Sequence, residues 1–437
     1  MPEALGRRRH PLRAGRRLVA GSAVLAAALG LVLGGCTSGS TGLAASSASG
    51  YGSRAAAASA SGNGGPATAT AAETVPSYYA EATAARNPAY GSPDNISVRD
   101  TDTGTVVATI KPPRQDQTFG YVFAASSPDT WVAGAQPWLP ARPDDSARPV
   151  TLFTLSFSPA TRRVAMTRLP APPVPGTDLA AVALSPDGSR LAEVTLVPAR
   201  PVRLDGSTQL PGLVWLRVYT MTGGAVRSSS RELATASDLS LLRGYSLTWL
   251  DDDRTLAIGG SFGSVGGLTE LSPGTVVYVD TSSSAAPAIT KTIRLSFPPA
   301  TGAPSFDAAT AAPQQCTGAP IATSDGQAII CGGTAATAMN GAGYTNVGIW
   351  SFSAQTGKLT AAWGRHGICC ALAATMFPSV LWASPSGGAM VATGITQQNQ
   401  GANLYVRTLD GRFRQVPWPG LLHYPDLLNI AAPQVAW

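Results

Sequence analysis

Residues 183–194 read ALSPDGSRLAEV. Two apolar runs flank Ser185, Pro186, Asp187 and Gly188, and each turn residue has its own physical reason to be there. Pro186 presets a turn dihedral, Asp187 bonds its own backbone, and Gly188 accepts a positive φ. The unit is therefore strand, tight turn, strand. It recurs as VFAASSPDTWVAGA (122–135), AVALSPDGSRLAEV (181–194), SLTWLDDDRTLAIG (246–259), PIATSDGQAIICG (320–332) and VLWASPSGGAMVATG (380–394). The turn anchors Asp129, Asp187, Asp252, Asp325 and Ser386 stand 58, 65, 73 and 61 residues apart. A fixed supersecondary unit at long, loosely constant spacing is the mark of a repeat architecture.

A second kind of hairpin alternates with the first. Examples are NISVRDTDTGTVVATI (95–110), TLFTLSFSPATRRVAMTRL (151–169), VGIWSFSAQTGKLTAAW (347–363) and NLYVRTLDGRFRQVPW (403–418). One hairpin of each kind makes a four-stranded unit, and the class is all-β. On LSPDGSRLA in the first hairpin and ISVRDTDTGTVVATI in the second, the chain resembles the TolB-like and WD-repeat β-propellers. The resemblance covers 77–437, although the Trp-Asp dipeptide of WD repeats is missing, and it implies a ring of four-stranded blades. The fold implies no function by itself, since propellers host both binders and enzymes.

The ends set the blade number. APQVAW (432–437) matches the innermost strands SLTW (246–249) and SVLW (379–382) but has no turn after it, whereas SYYAEATA (77–84) stands where a second strand belongs. The two are expected to complete one blade together. Five full units and one shared unit predict a six-bladed β-propeller, with seven blades as the alternative.

The first 36 residues read as a targeting segment. MPEALGRRRHPLRAGRR carries six Arg against Glu3, an apolar run LVAGSAVLAAALGLVLGG follows, and the run ends in LGGC. Leu33-Gly34-Gly35-Cys36 resembles the lipobox of bacterial lipoproteins, which implies lipidation at Cys36 and an anchor on the extracytoplasmic side of the cell membrane. The competing reading is an uncleaved single span. Residues 37–76 are mostly Ser, Ala, Gly and Thr and are expected to form a disordered tether to the 77–437 domain. The formal charge of +6 falls to about +1 without the leader, so the basic balance describes the signal and argues against a nucleic-acid partner.

In a propeller the turns within hairpins share one face, and the connections between hairpins share the other. Here the first set is short and the second long, so binding is expected on the long-connection face. By position, Trp138, Arg142, Asp144, Asp145, Arg203, Asp205 and Tyr344 are the candidates. Export places Cys316, Cys331, Cys369 and Cys370 in an oxidising compartment, where disulfides are the default. Because a vicinal Cys369–Cys370 ring is strained, each of Cys316 and Cys331 is expected to pair with one of Cys369 and Cys370. A zinc or copper site at His366, Cys369 and Cys370 is the rival use of those thiols.

Reactive motifs are sparse. GGSFG (259–263) matches a hydrolase pattern around Ser261, but that chemistry needs a strand-to-helix elbow. DTDTGT (100–105) lacks the later acidic ligands of a calcium loop and reads as a hairpin turn. No catalytic residue, metal or cofactor is assigned. The sequence reading is a monomeric, lipid-anchored binding or scaffold module whose partner is an envelope protein or a glycan or peptide ligand. Its rival is a lactonase- or hydrolase-type propeller with an acidic or metal site in the channel.

Overall fold

A computed structural model describes residues 74–82, 95–137, 149–173, 178–198, 202–204, 207–209, 212–222, 225–236, 242–262, 274–283, 286–297, 315–316, 318–337, 344–369, 375–396, 401–417, 422–423 and 435–437. All of them belong to the compact unit Ala67–Trp437. Among the described residues all regular structure is β-strand, and no helix there is long and apolar enough to cross a membrane.

The strands form six antiparallel blades. Blade two is β4 (Gln117–Ala124), β5 (Thr130–Pro137), β6 (Thr151–Ser158) and β7 (Arg163–Arg168), in that order. Blade three is β8 (Asp178–Leu184), β9 (Arg190–Pro198), β12 (Gly212–Thr222) and β13 (Ala225–Ala236); the small hairpin β10 (Val202–Leu204) and β11 (Ser207–Gln209) is inserted between its second and third strands. Blade four is β14 (Leu242–Trp249), β15 (Thr255–Phe262), β16 (Thr275–Asp280) and β17 (Ala288–Arg294). In blade five the inner position is shared by β18 (Gln315–Cys316) and β19 (Ile321–Ala322), both paired with β20 (Ala328–Thr337), and β21 (Tyr344–Ser353) and β22 (Leu359–Cys369) follow. Blade six is β23 (Thr375–Ala383), β24 (Met390–Thr396), β25 (Gly401–Arg407) and β26 (Phe413–Val416), with β27 (Leu422–His423) also on β25.

Blade one closes the ring as the end-matching argument requires. Its order is β28 (Val435–Ala436), β1 (Tyr78–Ala82), β2 (Ile96–Asp100) and β3 (Val106–Ile110). β28 lies antiparallel to β1 through Ala80 opposite Ala436 and Glu81 opposite Val435. Packing starts slightly before Ser77, because Val75 lies against the apolar cluster of Tyr79, Val406 and Trp437. The Pro76 carbonyl accepts a 2.8 Å bond from Thr101 Oγ1.

Each of the six apolar clusters lies between two blades rather than within one. Phe119, Trp131 and Leu155 of blade two meet Ile96, Val98 and Ala436 of blade one; Val132 and Leu152 meet Leu179 and Leu191. Val214 and Leu216 meet Trp249 and Ile258; Val276 and Ile293 meet Ile329 and Phe352; Ile330 and Ile349 meet Val380 and Met390. Finally Val391 and Val406 meet Tyr79 and Trp437. Six blades with six seams is a closed circle. Burial follows the same logic. Middle strands have sheets on both faces, so β16 reads TVVYVD and is almost wholly buried, while the outermost β7 reads RVAMTR and is half to fully exposed.

The opening motif forms its turn largely as written. Ser185 and Arg190 close it backbone to backbone at 2.8 Å, Gly188 N–H donates to the Ser185 carbonyl at 2.9 Å, and Gly188 has φ 70°. Asp253, Gly326 and Gly387 take the same left-handed position in their own copies, with φ 54°, 68° and 69°. Asp129 differs from the expected equivalence. It is itself the left-handed residue, φ 57°, inside a turn closed by Ala125 N–H on the Thr130 carbonyl. Hence it corresponds to the conformation of Gly188 rather than to the side-chain role of Asp187.

Candidate functional site

The short-turn face is built from self-satisfied turns. Asp187 accepts bonds from Ser185 Oγ at 2.6 Å, Ser189 N–H at 2.9 Å and Ser189 Oγ at 2.6 Å. Burial alone would raise its pKa, but these donors and the Arg190 charge hold it below the usual carboxylate value. Asp252 is held low in the same way by Thr255 and Arg254 after the opposing effect of burial. Blades are also strapped together here. Arg190 reaches out of blade three to donate to the Asp253 carbonyl at 3.2 Å and to Thr281 Oγ1 at 2.9 Å, both in blade four. Carboxylates occupied this way are turn and seam elements.

The long-connection face is where the candidate side chains were expected. Trp138, Arg142, Asp144, Asp145 and Asp205 lie outside the described residues, as does Cys36. Arg203 is the central residue of β10, opposite Thr208 of β11, so it stands on the inserted hairpin of blade three. Tyr344 is the first residue of β21, paired in register with Thr337 and Cys369. Arg203 and Tyr344 thus come from blades three and five, the blades on either side of blade four. These blades also have the long strands: β12 and β13 run 11 and 12 residues, and β20, β21 and β22 run 10, 10 and 11, against 5 for each of β1, β2 and β3. Tight hairpin turns fix the other end, so the added length of β20 to β22 extends toward the long connections.

The cysteines depart from expectation. Cys316 is bonded to Cys331, with Cα atoms 5.7 Å apart. The expected cross-pairing with Cys369 and Cys370 assumed that all four thiols are used. Instead, β18 lies beside β20 with Cys316 opposite Gly333, and this register brings Cys316 next to Cys331 inside one blade. Cys369 closes β22, and Cys370 lies outside the described residues. Among the described residues no group of three His, Cys, Asp or Glu gathers in metal-binding range.

Ser261 is in β15, paired in register with Gly244. It is a strand residue, one position before the end of β15. Around the axis, β28 lies beside β4, β4 beside β8, β8 beside β14, β14 beside β19 and β19 beside β23. Across these strands and β18, the charged residues are Asp178 and Arg243. The rest is apolar, hydroxylic or amide, with Val122, Ala183, Trp249, Ala322 and Val380 buried.

One polar group has no signal in the sequence reading. Glu193 of β9 is fully buried, and neither carboxylate oxygen has a well-formed hydrogen bond. Burial raises its pKa to about 7 against smaller lowering effects from the nearby Tyr219 hydroxyl and the Arg217 charge. Thr195 Oγ1, two residues along, is buried and unpartnered as well.

No family model matches the chain, and no curated protein does. Among solved structures, the chain is similar to the β-propeller domain of the trilobed protease from Pyrococcus furiosus, at 13% identity over 71% of this chain and 73% of that one, TM-score 0.30. It is also similar to a puromycin-hydrolysing peptidase of Mycobacterium tuberculosis, at 12% identity over 79% of this chain and 46% of that one, TM-score 0.38. A third is an oligogalacturonate lyase in complex with manganese, at 14% identity over 80% and 86%, TM-score 0.32. The chain therefore spans less than half of the peptidase. Blade number and ring closure rest on this chain's own strand pairing.

Proposed function

We propose that the chain is an exported, lipid-anchored propeller acting as a binding or scaffold module at the cell envelope, with its partner engaged by the long-connection face. The observation that carries the reading is how little charge the described inner strands bring to the axis, Asp178 and Arg243 alone, one on each of two strands. A hydrolytic funnel needs converging carboxylates or metal ligands, whereas a rigid ring with long, divergent connections on one face suits recognition of a protein, glycan or peptide. The elongated strands of blades three and five support the choice of face. The leader and LGGC support export and lipidation of Cys36, and together they imply a location on the extracytoplasmic side of the membrane.

Affinity capture from envelopes with the intact lipoprotein tests the face. Deleting 140–147, 264–272 or 300–312 is expected to change the captured set, while substitutions in the short turns leave it unchanged. If no long-connection deletion alters the set, the face assignment is wrong. Fatty-acid labelling of wild type against Cys36→Ser tests the anchor independently, with loss of label expected in the variant.

A further inference from the structure

Strand alternation fixes where Glu193 points. Ala192 and Val194 belong to the cluster shared with blade four, and Leu191 to the cluster shared with blade two. Glu193 is on the Leu191 face, directed into the seam between blades two and three. Its register neighbours are Val182 of β8 and Arg217 of β12, and Arg217 stands opposite Ser230 of β13. A row across the sheet therefore runs from an apolar residue through a fully buried carboxylate and a half-buried guanidinium to an exposed hydroxyl.

Among the described residues, the middle strands of blade two that face this carboxylate bring it no charge. The facing strands β5 and β6 read TWVAGAQP and TLFTLSFS, without an ionisable residue. From β4 the titratable group is Tyr121, which packs against the same cluster. From blade three the groups are Arg217 and Tyr219, with Glu232 opposite Trp215 on the same face and Asp178 at the start of β8. Burial pushes the Tyr219 hydroxyl up to about 12, so it is not a proton acceptor for Glu193 near neutrality.

We infer that the seam between blades two and three is a proton-gated joint. It closes over Glu193 in the neutral acid form, and it loosens along the row toward Arg217 and Ser230 when Glu193 gives its proton to solvent. An ionised carboxylate in this position is charged, buried and without a well-formed hydrogen bond, a costly state that admission of water or movement toward Arg217 relieves. The raised pKa agrees in sign. The closed seam holds the proton between the ordinary carboxylate value and about 7, so closure is strongest in acid and weakens as pH rises through that window. Resting on the export proposed above, the joint would adjust the inserted hairpin β10–β11, which β9 and β12 carry, in response to the acidity outside the cell.

Hydrogen exchange at a series of pH values, corrected for intrinsic rates, reads the joint directly. In the wild type the opening constant for amides of β5, β8 and β9 is expected to rise about thirtyfold between about pH 5.5 and about pH 8.5, while the seam between blades five and six stays flat. Glu193→Gln, which keeps the neutral shape, is expected to abolish the rise. Arg217→Gln should move the rise to higher pH, since the guanidinium favours the ionised form of Glu193. Infrared spectra of the wild type follow the protonated carboxyl band without any variant. Persistence of the exchange response in Glu193→Gln, or loss of the carboxyl band by about pH 5, would overturn the inference.

Discussion

The Trp437 indole stacks on the Tyr79 ring with centroids 4.5 Å apart and planes 19° from parallel, and its Nε1 donates to Thr101 Oγ1 at 3.3 Å. The contact fixes the C-terminal strand to blade one, and both rings also lie in the apolar cluster shared with Val391 and Val406 of blade six. Trp437→Ala is expected to lower unfolding stability by about 3–5 kcal/mol, the range for a large buried aromatic. Tyr79→Phe, by contrast, removes a buried hydroxyl that has no partner and is expected to be neutral or slightly stabilising. Denaturant unfolding of the two variants decides the matter; equal losses would mean that the stack is not what closes the ring.

Two left-handed glycines separate backbone strain from space. A Cβ on Gly188 meets nothing within 4 Å, whereas one on Gly357 would lie 2.1 Å from the Arg294 carbonyl of the neighbouring blade. Gly188→Ala is expected to cost about 1 kcal/mol, from φ alone. Gly357→Ala should cost severalfold more, because it also breaks the 2.8 Å bond from Ser296 N–H to the Gly357 carbonyl. Thermal unfolding that ranks Gly188→Ala as the worse variant would contradict the contact.

The Cys316–Cys331 bridge closes a separation of 15 residues. Loop entropy for that length gives about 3 kcal/mol. The double variant Cys316→Ser with Cys331→Ser is expected to lose up to that amount, and reduction of the wild type should reproduce the loss. Peptide mapping under non-reducing conditions checks the connectivity. A fragment linking Cys316 to Cys369 would restore the cross-pairing set aside above.

Asp187 and Asp252 predict the acid side of the stability profile. Both have pKa values lowered in the folded state, so their contribution is present above the ordinary carboxylate value and is lost as pH falls through the lower, folded one. Asp187→Asn should flatten this acid limb and leave any loss of stability toward alkaline pH untouched. A steeper acid limb in the variant would refute the turn assignment.

The contrast between Asp187 and Glu193 explains how far the sequence could be read. Asp187 stands between Pro186 and Gly188, and turn chemistry is local, so blade number, hairpin order and ring closure all followed from patterns within a few residues. Even there Asp129 was misplaced, because residue type fixes φ only for proline, and the left-handed position that glycine usually fills is open to Asp as well. Glu193 sits in RLAEVTLV, where alternation suggests a polar, solvent-facing side. That rule assumes a strand with one buried face. β9 is the second strand of its blade, covered by neighbouring blades on both faces, and a polar residue at an alternate position is then driven inside. The disulfide was illegible for another reason: it depends on β18 joining β20 beyond a long connection, a register that no local pattern encodes. Of the long-connection residues singled out, Arg203 and Tyr344 stand in strands of blades three and five, and the length of the strands in those blades had no signal in the sequence.

The chain enters the ring beside the hairpin turns. Ser77 and Pro76 bond Thr101, and Tyr78 lies opposite Asp100, while Trp437 ends next to the same threonine. Both ends of the propeller therefore leave from a single side, where the missing first turn of blade one would stand. Residues 76–78 and Trp437 thus share the end of blade one that carries the Asp100–Thr105 turn, so a single hydrogen-bonded threonine, Thr101, serves both the first and the last residues of the ring.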